Sequence, residues 1–193
     1  MRIAIDCGHN PPGDIGALSV DGKLAEFVEA HKIVSFAYRM LFQKGFEIVN
    51  FAERLKAKVQ IVNQAKPNLA VEVHLNSCGD PKQRGALCLY YPSQKSRDLS
   101  RFILEGIHNC SAIGIVGSAL IKKRGVYAGH FRLDPSKPIL YFLRKTRCPA
   151  VVIEPLFLSS PDDCELLAKG SGVHEMIAAG IYNGIIEWAR LYR

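Results

Sequence analysis

Short apolar runs alternate along this chain with longer segments in which apolar residues recur every three or four positions. Arg2 to Asp6 reads as a short buried strand ending in a turn through Cys7 to Asp14. Leu24 to Gln43 has the length and spacing of a helix closed by Gly45. Phe46 to Phe51 reads as a second strand, Ala52 to Ala65 as a helix stopped by Pro67, and Leu69 to Asn76 as a third strand. A strand from Ala86 to Tyr91 and a helix from Ser96 to Ile113 follow, whereas Gly114 to Gly129 shows no clear period. Regularity returns with Ile139 to Arg144, read as a strand, and with Ala150 to Glu154, a near-continuous apolar run of the kind found in central strands. Helices from Asp162 to Lys169 and from Val173 to Tyr192 complete the pattern. This alternation predicts an α/β fold: a mostly parallel, twisted sheet with helices on both faces.

At 193 residues, with no repeat, low-complexity tract or long linker, residues 1–193 are expected to form a single domain around one core. The longest apolar stretch, Ile177 to Ile186, is interrupted by Tyr182 and Asn183 and falls short of the roughly 20 residues that span a bilayer, so no transmembrane segment is expected. The first ten residues read as strand and turn rather than as a signal peptide, which predicts a chain synthesised in the cytoplasm. The six cysteines lack any close CxxC pair, and reduced thiols are expected. The net charge of +7 attracts polyanions, but no nucleic-acid-binding motif accompanies it, and nucleic acid is not expected as a partner.

Ligands in open α/β sheets sit beyond the carboxyl ends of the strands. His9, His74 and Glu154 stand at such ends, and Glu26 opens the first helix. Two histidines and a glutamate are a recurrent ligand set for catalytic zinc, which keeps a further position open for water. Each residue alone also has a bland reading, as a hydrogen-bonded histidine or as an acid favoured by a helix dipole. Glu154 is harder to explain away, because it closes the run Ala150 to Ile153, where an unpaired charge costs several kcal/mol. Glu72, His74 and Asn76 alternate onto one strand face, and Gly8 is expected to let the backbone turn before His9.

The segments Ile5 to Asn10 (IDCGHN), Asp14 to Ala17 (DIGA), Asp21 to Glu26 (DGKLAE), Val71 to Ser77 (VEVHLNS) and Pro149 to Asp163 (PAVVIEPLFLSSPDD) resemble the type-3 zinc-dependent N-acetylmuramoyl-L-alanine amidases, which include phage endolysins. The resemblance runs in register from Ile3 to Leu167. It implies that His9, Glu26 and His74 hold Zn2+ and that Glu154 is the catalytic carboxylate, with Asn76 beside the metal. Glu29, three residues after Glu26, is the less favoured acidic ligand. Asn10 stands where many relatives have Gly, Glu72 where many have Ser, and Lys58, read as structural, where relatives often carry Arg; Glu72 is read as able to hydrogen-bond a metal ligand or to sit in a salt bridge, the former favoured. Arg124 to Val126 resembles a family segment, and the longer stretch between Val126 and Ile139 adds His130, Arg132 and Asp134. His31, His108 and His174 are read as packing or surface residues.

The implied reaction is hydrolysis of the amide bond between N-acetylmuramic acid and L-alanine in peptidoglycan, after release of the enzyme to the cell wall. The +7 charge would add electrostatic adhesion to anionic wall polymers. A zinc carboxypeptidase and an inactive wall-binding module of the same fold are the competing expectations.

Overall fold

The computed structural model describes residues 1–51, 53–112, 121, 123–129, 135–169 and 172–192. In chain order these form β1 (Arg2–Cys7), α1 (Glu26–Gln43), β2 (Glu47–Val49), α2 (Leu55–Ala65), β3 (Leu69–Val73), β4 (Ala86–Tyr90), α3 (Gln94–Ala112), β5 (Lys123–Ala128), α4 (Tyr141–Lys145), β6 (Ala150–Glu154), α5 (Pro161–Ala168) and α6 (Val173–Tyr192). The strands make one sheet in the order β2-β1-β3-β6-β4-β5. Neighbours run parallel except β4 and β6, which are antiparallel. The α/β class and the parallel centre therefore match the apolar pattern.

Local signals explain most boundaries. Helix α1 stops where Gly45 takes a φ of 86° and returns its N–H to the Phe42 carbonyl. Helix α2 ends in a left-handed Lys66 directly before Pro67. Helix α5 opens with Ser160, whose side chain accepts from the Asp163 N–H, followed by Pro161 in the first turn.

Three elements differ from the expectation. Leu140 to Arg144 is not a strand: the Arg144 N–H donates to Leu140 and the Thr146 N–H to Phe142, closing the single turn and a half of α4. Phe142 and Leu143 are adjacent and both buried, and Phe142 stacks on Phe51 at 5.5 Å, whereas a strand would send the two side chains to opposite faces. The extra strand is instead β5, inside the stretch that showed no period, where Gly125 has a φ of 143° and the register with β4 slips between Ala86 and Leu87. The third strand also ends at Val73, so His74 already belongs to the loop. Ile113 at the end of the expected helix, residues 114–120 and 122 of the aperiodic stretch, and His130, Arg132 and Asp134 lie outside the described residues.

Alternation splits the core between the two faces of the sheet. Ile3, Ile5, Val71, Val73, Val151 and Ile153 meet α1, α3 and α6, while Ala4, Ala70, Ala150 and Val152 meet α2 and α4. The first layer has a seam of direct backbone contact. A Cβ added at Gly180 would lie 2.4 Å from the Ile107 Cα, and one at Gly184 2.4 Å from the Ile103 Cα, so α3 and α6 touch with no side chain between them. Further along, the Trp188 indole donates to the Lys95 carbonyl at 2.9 Å and the Tyr192 hydroxyl to Asp98 at 2.6 Å. At its other end α6 reaches α1: His174 Nε2 lies 2.7 Å from Glu29, which also accepts from Lys32. All six cysteines are free thiols, and among the described residues no helix is long and apolar enough to cross a membrane.

Candidate active site

Three adjacent strands, β1, β3 and β6, deliver polar residues to one edge of the sheet. Val73 pairs with Ile153, and the His74 N–H donates to the Ile153 carbonyl at 2.9 Å, so His74 and Glu154 leave the sheet side by side. The Gly8 N–H donates to the Val73 carbonyl at 2.7 Å, which brings the β1 end alongside. Gly8 itself does not supply the turn. His9 carries it, at a φ of 60° that costs a side chain of this kind about 1 kcal/mol. Gly8 supplies room: a Cβ there would stand 2.0 Å from the His74 ring.

His9, Glu26 and His74 converge, each offering one ligand atom within 4.8 Å of the others. Glu26 Oε1 lies 3.0 Å from His9 Nε2 and 2.8 Å from His74 Nδ1, and it accepts from the Leu75 N–H at 3.2 Å. The second oxygen accepts from the Ala17 N–H at 2.9 Å, which fixes the carboxylate at the start of α1. Room for it comes from Gly16, at a φ of 72°, where a Cβ would stand 2.5 Å from Glu26 Oε2. Each imidazole gives its remaining nitrogen to another carboxylate: His9 Nδ1 to Asp14 at 2.7 Å and His74 Nε2 to Glu72 at 3.4 Å. Carboxylate-backed imidazoles aimed at one point are the arrangement in which histidine holds a metal ion, so the trio fits a divalent cation.

The electrostatics agree. Burial opposes charge on His74, but Glu26 and Glu72 outweigh it and raise the pKa to about 10. His9 is raised in the same way by Glu26 and Asp14 against its burial. Glu26 is driven the other way: burial pushes it up, and its bonds to His74 and His9 bring it well below the usual carboxylate range. The negative potential that retains a proton on these rings would equally retain a metal cation. Glu154 is outside the converging trio. Burial raises its carboxyl to about 7, with Glu26 adding to the rise and His74 and His9 opposing it.

A cavity of about 660 Å³ opens beside the two histidines, lined by His9, His74, Pro12, Asp14, Arg54 and Lys58 among others. It lies between the loop after β1 and the start of α2.

Residues 3–187 match the family described as N-acetylmuramoyl-L-alanine amidase. The chain belongs to this family. This amidase is 24% identical over 96% of its length to the germination-specific N-acetylmuramoyl-L-alanine amidase of Bacillus subtilis, 78% of which it covers. It superposes on the CwlD amidase of Clostridioides difficile, solved in complex with the GerS lipoprotein, with a TM-score of 0.84 at 25% identity, over 98% of each chain. The fold also matches the amidase AmiC2 of Nostoc punctiforme, with a TM-score of 0.83 at 24% identity over 98% and 97% of the two chains. The amidase is thus a hydrolase of the bacterial cell wall.

The other residues singled out in the sequence sort themselves by contact. Glu29 turns away from the amidase site to His174 and Lys32, so both Glu29 and His174 serve packing. Asn76 spends its side-chain oxygen on the Ser77 N–H, and its backbone pairs with the loop after β6 through Leu156 and Leu158. Asp14, part of a recognised motif but given no role in advance, backs His9. Lys58 and Glu72 are both buried beside His74, more deeply engaged than a structural reading of Lys58 implied. The signal was present: Lys58 sits on the apolar stripe that Val59 and Val62 complete.

Proposed function

We propose that this enzyme is a zinc-dependent N-acetylmuramoyl-L-alanine amidase in which His9 Nε2, Glu26 Oε1 and His74 Nδ1 hold the metal and Glu154 moves the proton. The convergence of three ligand atoms with a carboxylate behind each imidazole carries the reading. When bound, zinc supplies a Lewis acid that makes water nucleophilic near neutral pH and polarises the scissile carbonyl.

Each side chain then has one task. Asp14 and Glu72 set the two rings, and the Ala17 and Leu75 N–H groups hold the Glu26 carboxylate. Glu154, next to His74 and with its carboxyl raised to about 7, accepts the proton of the attacking water and returns it to the departing alanine nitrogen. The cavity beside His9 and His74 receives the muramyl peptide.

His74→Ala is expected to remove most of the zinc found in the purified protein, and chelation of the wild type to abolish activity. Metal analysis alongside release of N-terminal alanine from a muramyl peptide measures both. Full zinc occupancy in a folded His74→Ala protein excludes this ligand set. The net charge of +7 supports a second expectation, that the enzyme adheres to anionic wall polymers. Exposed charges are screened over about 8 Å at physiological salt, so binding to purified walls should fall across a salt series. Salt-independent binding excludes an electrostatic contribution.

A further inference from the structure

We propose that Lys58 and Glu72 are a positioning pair, whose task is to hold both metal-binding histidines in place. The inference rests on the reading of His9, Glu26 and His74 as the zinc ligands. Neither residue is one of the converging ligand atoms, and both are almost sealed from solvent, with Lys58 2% and Glu72 4% exposed.

Their bonds form a single chain. The Lys58 ammonium donates to the Cys7 carbonyl at 2.8 Å and to Glu72 Oε1 at 3.0 Å. Glu72 Oε2, the other oxygen, faces His74 Nε2 at 3.4 Å. One ammonium from α2 is therefore tied to the end of β1, two residues before His9, and through one carboxylate to the ring of His74. Both ligands arrive on strand ends with no following strand to hold them, and His9 does so in a left-handed conformation. The Gly8 N–H on the Val73 carbonyl joins the two ends through the backbone, and Lys58 with Glu72 adds a tie that reaches the ring of His74 itself.

The chemistry of the pair points the same way. A buried ion pair is a poor device for stability alone, because well-packed apolar residues of the same volume often do as well or better. Here each charged oxygen has a separate partner, and the oxygen not bonded to lysine is the one at the imidazole. Lys58 also cancels the charge of Glu72. His74 thus gains a directional acceptor without a further net negative charge beside Glu154. A carboxylate behind a ligand imidazole fixes the tautomer and ring orientation, and its loss typically costs 10–100-fold in metal affinity.

The test separates positioning from filling. Glu72→Gln alone, and Lys58→Met with Glu72→Gln in one chain, keep the volume; the double variant also removes the charge left over by the single one. Zinc dissociation constants are measured by competition with a chromophoric chelator, beside thermal melts of the metal-free proteins. The double variant should melt close to the wild type yet bind zinc tenfold or more weakly. Wild-type zinc affinity in either folded variant overturns the proposal while leaving the ligand assignment intact. Loss of the fold in both variants, unrelieved by saturating zinc, also overturns it, since the pair is then a structural plug. Absence of zinc binding by the wild type overturns this inference together with the metal reading beneath it.

Discussion

Glu154→Gln is expected to lower release of N-terminal alanine by roughly 10²-fold or more while leaving zinc bound and the fold intact, the usual consequence of losing a general base. Glutamine keeps the size of the side chain and cannot take a proton. The pH dependence carries a second signature. Burial raises the Glu154 carboxyl to about 7, and a base acts only when ionised, so wild-type kcat/KM should rise with pH through a limb at or, with a cation bound nearby, below that value. The glutamine variant should lack the limb.

Stability should move in the opposite direction to activity. Because the folded carboxyl is raised from 4.5 to about 7, the folded chain keeps a proton that the unfolded chain releases within that window. The contribution of Glu154 to stability is therefore present in acid and lost as pH rises through about 7. Metal-free Glu154→Gln escapes the loss and should be more stable than metal-free wild type at pH values above the window, by about 3 kcal/mol. Near-normal turnover in a folded, zinc-loaded variant would remove Glu154 from the mechanism, and an unchanged melt would deny the burial argument.

Gly8→Ala is expected to empty the metal site. The added methyl would stand 2.0 Å from His74 Cε1 and 2.3 Å from Nε2, and the Gly8 N–H is held on the Val73 carbonyl at 2.7 Å, so the backbone cannot retreat. The ring must swing away, breaking its contacts with Glu26 and Glu72. Zinc content should fall below roughly a tenth of the wild-type value, in line with the large affinity losses that follow misplaced ligands, and activity should reach background. Metal analysis and a thermal melt of the purified variant check this. A fully loaded, active Gly8→Ala enzyme would mean that His74 is not a ligand.

The residues that gather at the candidate site were legible in the sequence because polar residues at the ends of apolar runs have few structural excuses, and parallel strands carry such ends to one edge of the sheet. Glu154 after Ala150 to Ile153 is the clearest instance, whereas Glu26 was preferred to Glu29 through the family resemblance. The role of Gly8 was not legible, since the space it leaves is occupied by a ring from residue 74. Nor was the direction of β4, because alternation reports which face a residue takes and never which way its strand runs. Ile139 to Arg144 misled for a related reason: so short a segment cannot separate a period of 2 from one of 3.6. Strand β5 hid behind Lys123, Arg124 and Gly125, which break the apolar signal at the sheet edge.

The bare contact of α3 with α6 has a reach beyond the layer in which it sits. With no side chains at Gly180 and Gly184 to compress, the distance between the two helix axes is dictated by backbone atoms, and α6 has almost no freedom to drift. At its opening turn α6 carries His174, which grips Glu29, three residues beyond Glu26 on α1. The pitch of α1, and with it the aim of the Glu26 carboxylate, is thereby referenced to a surface on the far side of the helical layer. Substitutions along that surface should act as remote detuning of the proposed metal site: a methyl at Gly180 is expected to weaken zinc binding, measured by chelator competition, even in molecules that still fold.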